Sequence, residues 1–310
     1  MTNHSPPQAT SIDELIRIQA ELHPLVQRRG FTTVEDYCNH LMYQKAYEDA
    51  LPIARGKRVL DLGCNDGYGS SLLASAGIEV VGVDVSTKSL REAAAAYRMP
   101  SLRFVPVDGI KLPFRDGAFD MIVSFQVIEH VADYDAYLSE ARRVLRPHGV
   151  ALFTTPNAAI RLDPGMPPWN AMHVKEFSAS ELETLLCKWF PEVVISGLFG
   201  TPEIYEIEFN RVKGHLAKAR RDHDRLIPPG WVIRAKIIDA MKAVAPDRVM
   251  DAARTILRRL PAPAPAHSET HRTTPDASSD KTYPFSTADL FYRTGALDRS
   301  LGLMATCKGD

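Results

Sequence analysis

Val59-Leu60-Asp61-Leu62-Gly63-Cys64-Asn65-Asp66-Gly67-Tyr68-Gly69-Ser70 is the stretch that decides the fold. The short apolar run Arg58 to Leu62 reads as a buried strand. It turns into a glycine-rich loop and then into a helix-like run, Ser70-Ser71-Leu72-Leu73-Ala74. A second apolar strand, Glu79-Val80-Val81-Gly82-Val83-Asp84, ends on an acid. Asp84 lies about 20 residues beyond the loop, the spacing at which a βαβ unit brings a carboxylate to a ribose. Glycines let the backbone approach a ligand closely, and a helix N-terminus offers unpaired N–H groups.

The spacing alone would allow a dinucleotide, but two details argue otherwise. The dinucleotide fingerprint places three glycines as G-x-G-x-x-G, whereas this loop carries Gly63, Asn65 and Gly67. An acid, Asp61, also opens the loop. Further along, Leu102-Arg103-Phe104-Val105-Pro106-Val107-Asp108-Gly109 reads as a third strand ending in Asp-Gly. A fourth strand runs into Phe125-Gln126-Val127-Ile128-Glu129-His130. A helix from Tyr134 to Leu145, a turn at Arg146-Pro147-His148-Gly149 and a fifth strand from Val150 to Asn157 follow. Strand–helix alternation from Lys57 to Asn157 predicts a doubly wound α/β sheet.

Acid-x-Gly-x-x-x-Gly, followed by these acid-ended strands, resembles the class I S-adenosylmethionine-dependent methyltransferases, and residues 57–200 carry the resemblance. It implies a Rossmann-like, doubly wound, seven-stranded α/β sheet. It implies that Asp61, Gly63, Cys64, Asn65 and Gly67 surround the methionine end of the cofactor, and that Asp84 and Val85 hold the ribose. Asp108 and Gly109 would take the adenine, and Phe125 and Gln126 would line the cleft. The sixth strand is expected at Glu192–Gly200 and the last, antiparallel, at Leu301–Lys308. The core then comprises residues 57–202 and 297–310.

The catalytic candidates are Glu129, His130 and His173. A methyl acceptor hydroxyl must lose a proton, and a histidine titrates near physiological pH. His130 is therefore the expected base; the alternative is an acid–histidine pair that only orders the loop. The segment Pro167-Pro168-Trp169-Asn170-Ala171-Met172-His173-Val174-Lys175-Glu176-Phe177-Ser178 resembles a bacterial branch that includes sugar O-methyltransferases. It is expected to bring His173 into the cleft and to start the next helix at Ser178. One carboxylate and two imidazoles could also bind a divalent cation such as Mg2+. This resembles small-RNA 2′-O-methyltransferases, except that Gln126 replaces a ligating glutamate. Without a metal, His173 would be a second base or a substrate ligand. The acceptor is expected to be a saccharide hydroxyl, with a phenol, quinone precursor or other secondary metabolite as the alternative. Trp169 suits either.

Residues 1–56 read as helices preceding the sheet, with Ser-x-x-Glu caps such as Ser11 to Glu14. A helix beginning at Thr33 puts His40, Tyr43 and Tyr47 on one face, to cover the cofactor or simply to pack. Residues 203–260 look like a helical insertion. From Arg211 to Leu260 it holds 13 basic and 5 acidic side chains, to touch an anionic membrane surface or an acidic acceptor, or to form a solvated lid. Residues 261–284, rich in Pro, Ser and Thr, are expected to be a disordered loop. The full 310-residue chain carries 37 basic and 38 acidic residues, net charge −1, so no nucleic-acid partner is expected. Oligomer formation stays open. Four scattered cysteines, Cys38, Cys64, Cys187 and Cys307, fit a reducing cytoplasm. No signal peptide or membrane span is expected.

Overall fold

A computed structural model describes residue 31, residues 33–109, 111–170, 172–223 and 283–310. The Ser11 cap, the greater part of the basic insertion and residues 261–282 of the expected 261–284 loop lie outside the described residues.

The helix α1 (Val34–Ala54) opens where expected, with Thr33 accepting the Asp36 N–H at its N-cap. The sheet follows as β1 (Arg58–Leu62), β2 (Glu79–Asp84), β3 (Leu102–Pro106), β4 (Phe119–Phe125) and β5 (Leu145–Pro156). Helices α2 (Tyr68–Ser75), α3 (Thr87–Ala96) and α4 (Tyr134–Val144) lie between these strands. Then come α5 (Ala179–Leu186), β6 (Glu192–Gly200), α6 (Pro202–His223), β7 (Leu290–Arg293) and β8 (Gly302–Lys308). Strand order is β3-β2-β1-β4-β5-β8-β6-β7; β1 to β5 pair in parallel and β8 runs antiparallel between β5 and β6.

The sheet has eight strands, not seven. The unforeseen β7 pairs antiparallel with β6 at the edge, so the C-terminal part of the core begins at Leu290 rather than 297. Four residues are too few to show a period of two convincingly. The Arg146–Gly149 turn is also absorbed into β5: Leu145 pairs with Phe119 and Val150 with Met121, so the four residues between them bulge out.

Central strands covered on both faces read as continuous apolar runs. Leu60, Met121, Ile122, Val123 and Leu152 are buried, as are Phe119, Phe153 and Phe190. Truncating one of these phenylalanines to alanine should cost about 3–5 kcal/mol. The connections reverse direction between β1 and β4. At such a switch point the loops leaving the two strands diverge and open a crevice at their C-terminal ends. The glycine loop and the Gln126–His130 segment are those two exits.

Candidate active site

On the β1 side, the loop is built from backbone geometry. Gly63 (φ +88°) and Gly67 (φ +76°) are left-handed, and a Cβ at either would stand 2.5 Å from Val127 or Phe104. Asn65 also has positive φ (45°). Asparagine is among the few non-glycine residues that visit this region at low cost, which explains its place where a glycine is common. Its N–H donates to Asp84 Oδ2 at 2.9 Å, and Ser86 N–H donates to Asp84 Oδ1 at 2.8 Å. Burial pushes the Asp84 carboxyl up in spite of these donors. The Asn65 Oδ1 is buried and has no hydrogen-bond partner among the described residues.

Asp61 is fully buried. Ser70 Oγ donates to it at 2.6 Å and Tyr47 from α1 donates at 3.2 Å. Burial pushes its carboxyl up to about 7. A Cβ on Gly69 would meet the Tyr47 ring at 1.9 Å, so α1 docks directly on the loop. Of the face expected to cover the cofactor or simply to pack, Tyr47 packs against the loop and Tyr43 lines the cavity described below. Cys64 is tied into the loop: its N–H donates to the Val83 carbonyl, its carbonyl accepts from the Gly67 N–H, and its thiol lies beside Gly82. Phe125 packs edge-on against Tyr47 at 4.8 Å. Val85 lies beside Gly109, and Asp108 accepts the Lys111 N–H at an exposed position.

The other exit leads to a cavity of about 480 Å³. Gln126 enters it with φ +58°, and its Nε2 donates to Thr154 Oγ1 at 3.2 Å. A non-glycine residue held there signals a constrained, functional turn. Glu129 and His130 follow in a single 3-10 turn. The next loop is pinned onto that turn, because the Val174 N–H donates to the Glu129 carbonyl at 2.8 Å and His130 Nδ1 donates to the Met172 carbonyl at 2.9 Å. A carbonyl can only accept, so Nδ1 carries the proton and Nε2 is the basic nitrogen. Burial lowers the His130 pKa, keeping the ring neutral at pH 7. Glu129 is 1% exposed and accepts from Thr155 Oγ1 at 3.1 Å; burial pushes its carboxyl up to about 7.

His173 enters the cleft as expected, and its ring meets His130 edge-to-face at 4.8 Å. Ligand atoms of Glu129, His130 and His173 all lie within 4.8 Å of one another. Both ring nitrogens of His173 are engaged, however: Nδ1 with Glu176 Oε1 at 2.8 Å and Nε2 with Asn170 Nδ2 at 2.8 Å. Glu176 in turn accepts from Arg161 Nε at 2.8 Å. Burial alone would raise the Glu176 carboxyl, but His173 and Arg161 hold it below its ordinary value. This buried Arg161–Glu176–His173–Asn170 chain is not evident from sequence, although Asn170 and Glu176 stand three residues either side of His173. Across the cavity, α6 contributes Glu208, which pairs with Arg211 Nε at 2.6 Å. The i, i+3 spacing of that pair was its only sequence signal. Trp169 does not offer an open platform, since Arg161 lies over its ring at 4.2 Å and His215 stacks on it at 4.5 Å. Asn157 is structural; its amide donates to the Leu297 and Ser300 carbonyls.

Residues 60–153 match the methyltransferase domain family. The fold is that of the class I S-adenosylmethionine-dependent methyltransferases, and the chain is similar in sequence to proteins of that family. A Mycobacterium tuberculosis protein named "Probable S-adenosylmethionine-dependent methyltransferase" is 33% identical over 168 residues, 54% of this chain and 60% of that protein. A demethylmenaquinone methyltransferase of Beutenbergia cavernae is 42% identical over 118 residues, 37% of this chain and 48% of its own. The chain spans about half the length of the curated relatives it matches. A solved S-adenosylmethionine-dependent methyltransferase from Thermotoga maritima covers 88% of this chain and 92% of its own at a TM-score of 0.50. At 12% identity that likeness is one of fold. The glycine loop fits S-adenosylmethionine on its own chemistry. Asn65 Oδ1 is a buried acceptor awaiting a donor, Asp84 offers a carboxylate for hydroxyls, and Gly63 and Gly67 leave the space a side chain would fill. Among the described residues, no helix is long and apolar enough to cross a membrane.

Proposed function

We propose that the protein moves the methyl group of S-adenosylmethionine to a hydroxyl oxygen of a saccharide or saccharide precursor, with His130 as general base. The observation that carries this reading is the fixed tautomer of His130, whose basic Nε2 belongs to a ring lining the cavity beside the cofactor loop. The cofactor supplies an electrophilic methyl on a sulfonium. Asn65, Asp84 and the glycine turns would hold it. The chain's task is then to place the acceptor oxygen and take its proton. As the new C–O bond forms and the C–S bond breaks, the hydroxyl proton passes to His130 Nε2 and from there to water. Burial keeps that nitrogen unprotonated before the step, and the Met172 carbonyl holds the ring in place through Nδ1.

The wall of the cavity favours a neutral polyol. Asn39, Tyr43, Gln126, Thr154 and Asn170 supply hydrogen-bonding groups. The two guanidinium groups that line it, Arg161 and Arg211, are already paired with Glu176 and Glu208. An acidic acceptor would find no unpaired cation among the described lining residues. A second reading, methylation of a phenolic or quinone-like ring, rests on the apolar side of the same cavity, where Met42, Leu198, Tyr292 and Leu303 stand.

The test is transfer of labelled methyl to neutral glycosides, uronic acids and simple phenols, with magnesium and with a chelator. Labelling of neutral glycosides that survives chelation supports the reading. Labelling of phenols alone replaces the acceptor, and transfer lost with the chelator moves the base role away from a metal-free His130.

A further inference from the structure

His173 is a member of the only described cluster of carboxylate and imidazole groups close enough to share an ion. The hydrogen bonds around it decide which chemistry that cluster can have. Met172 N–H donates to Asn170 Oδ1 at 3.0 Å, which fixes the amide so that its NH2 end faces His173. An amide nitrogen can only donate, so Nε2 of His173 must present its lone pair to Asn170. A carboxylate can only accept, so Nδ1 carries the proton toward Glu176. A doubly protonated ring would set N–H against N–H at 2.8 Å. The ring therefore has its single lone pair already used. It cannot take a proton from an acceptor, and it cannot ligate a metal without losing Asn170.

We propose that Asn170 keeps the Glu129–His130–His173 cluster a metal-free, proton-accepting site by occupying the one lone pair of His173 that a cation would need. Asn170 is a positioning residue, and Arg161 and Glu176 fix the opposite nitrogen. The donor set of two nitrogens and one oxygen would suit Zn2+ or Co2+ better than Mg2+, so Co2+ is the sensitive probe. In assigning the proton to His130 the inference rests on the proposed reaction; the exclusion of a cation rests on hydrogen bonding alone.

The test is titration of the tag-free full chain with Co2+, followed by visible absorbance and calorimetry. The unmodified protein is expected to show no binding that depends on His173. Asn170→Ala should gain a site at least about tenfold tighter, lost again when His173→Gln is added. Cation binding by the unmodified protein that His173→Gln abolishes would overturn the proposal, and so would an Asn170→Ala variant that gains no site. Nitrogen NMR of labelled histidines in the unmodified protein needs no variant to fold. The expected pattern for His173 is neutral with the proton on Nδ1; a proton on Nε2 contradicts the proposal. If no saccharide is methylated while these results hold, the acceptor reading falls and the Asn170 assignment stands.

Discussion

The two halves of the crevice are made of different material. The cofactor half comes from the ends of β1, β2 and β3, within some tens of residues of chain, and works through backbone geometry: left-handed glycines, Asn65 and N–H groups aimed at Asp84. The half proposed to take the acceptor is assembled from side chains that start far apart. Tyr43 comes from α1, Glu129 and His130 from the exit of β4, Arg161 to Glu176 from the loop after β5, and Glu208 and Arg211 from α6. A backbone-built site tolerates change in side chains that do not touch it and fails at its glycines. A side-chain-built site fails when one buried partner of a charge pair is lost. Electrostatics cut across this division. The carboxyls Asp61 and Glu129 are pushed up to about 7 by burial, whereas Glu176, with two donors, is held down.

The largest expected effect lies in the acceptor half. His130→Ala should lower turnover by about 10²- to 10⁴-fold and leave cofactor affinity within a factor of about two, as read by calorimetry. Equal losses in both would mean the two halves are not separable. Next, Glu176→Ala strands Arg161 and should cost about 3–5 kcal/mol of stability in denaturant unfolding. A loss below 1 kcal/mol would show the chain of buried partners to be dispensable.

The third expectation uses pH. Glu129 titrates near 7 in the folded protein against an ordinary value of 4.5, so folding favours its protonated form. The stability it contributes is fully present below pH 4.5 and is lost as pH rises through 7. Glu129→Gln cannot ionise, so its melting temperature relative to the unmodified protein should climb across that window. Asp61 titrates in the same range in both proteins and drops out of the difference. A flat difference would place the Glu129 carboxyl in a wetter environment. The smallest effect tests the joint between the halves. Gly69→Ala forces the Tyr47 ring aside and should cost about 1–3 kcal/mol together with weaker cofactor binding; unchanged binding would show that α1 does not support the loop.

The same contrast explains what the sequence made legible. The cofactor loop, Asp84 and the strands up to β6 were readable because each is a local pattern whose period or spacing is its mechanism. So was the return of β8, an apolar run at a position the fold requires. Glu129, His130 and His173 were readable as candidates through resemblance, but not their roles. Which lone pair of His173 is engaged depends on Asn170 and Glu176, and those bonds exist only once the loop has been pinned to the β4 exit. Pairing of Glu208 with Arg211 has only its i, i+3 spacing as a signal, and nothing in the sequence marks it as part of a cavity wall. The surroundings of Asp61 were not legible. Its oxygens accept from Tyr47 and Ser70, and the Tyr47 bond exists only because α1 covers the base of the loop.

The most direct test of the account is a single comparison of unmodified protein and His130→Ala in which cofactor binding and labelled-methyl transfer to neutral glycosides are measured on the same samples. The account expects both proteins to bind S-adenosylmethionine alike and only the unmodified one to label a glycoside oxygen. Transfer by His130→Ala at the unmodified rate would contradict it, as would an unmodified protein that binds the cofactor and labels no hydroxyl acceptor.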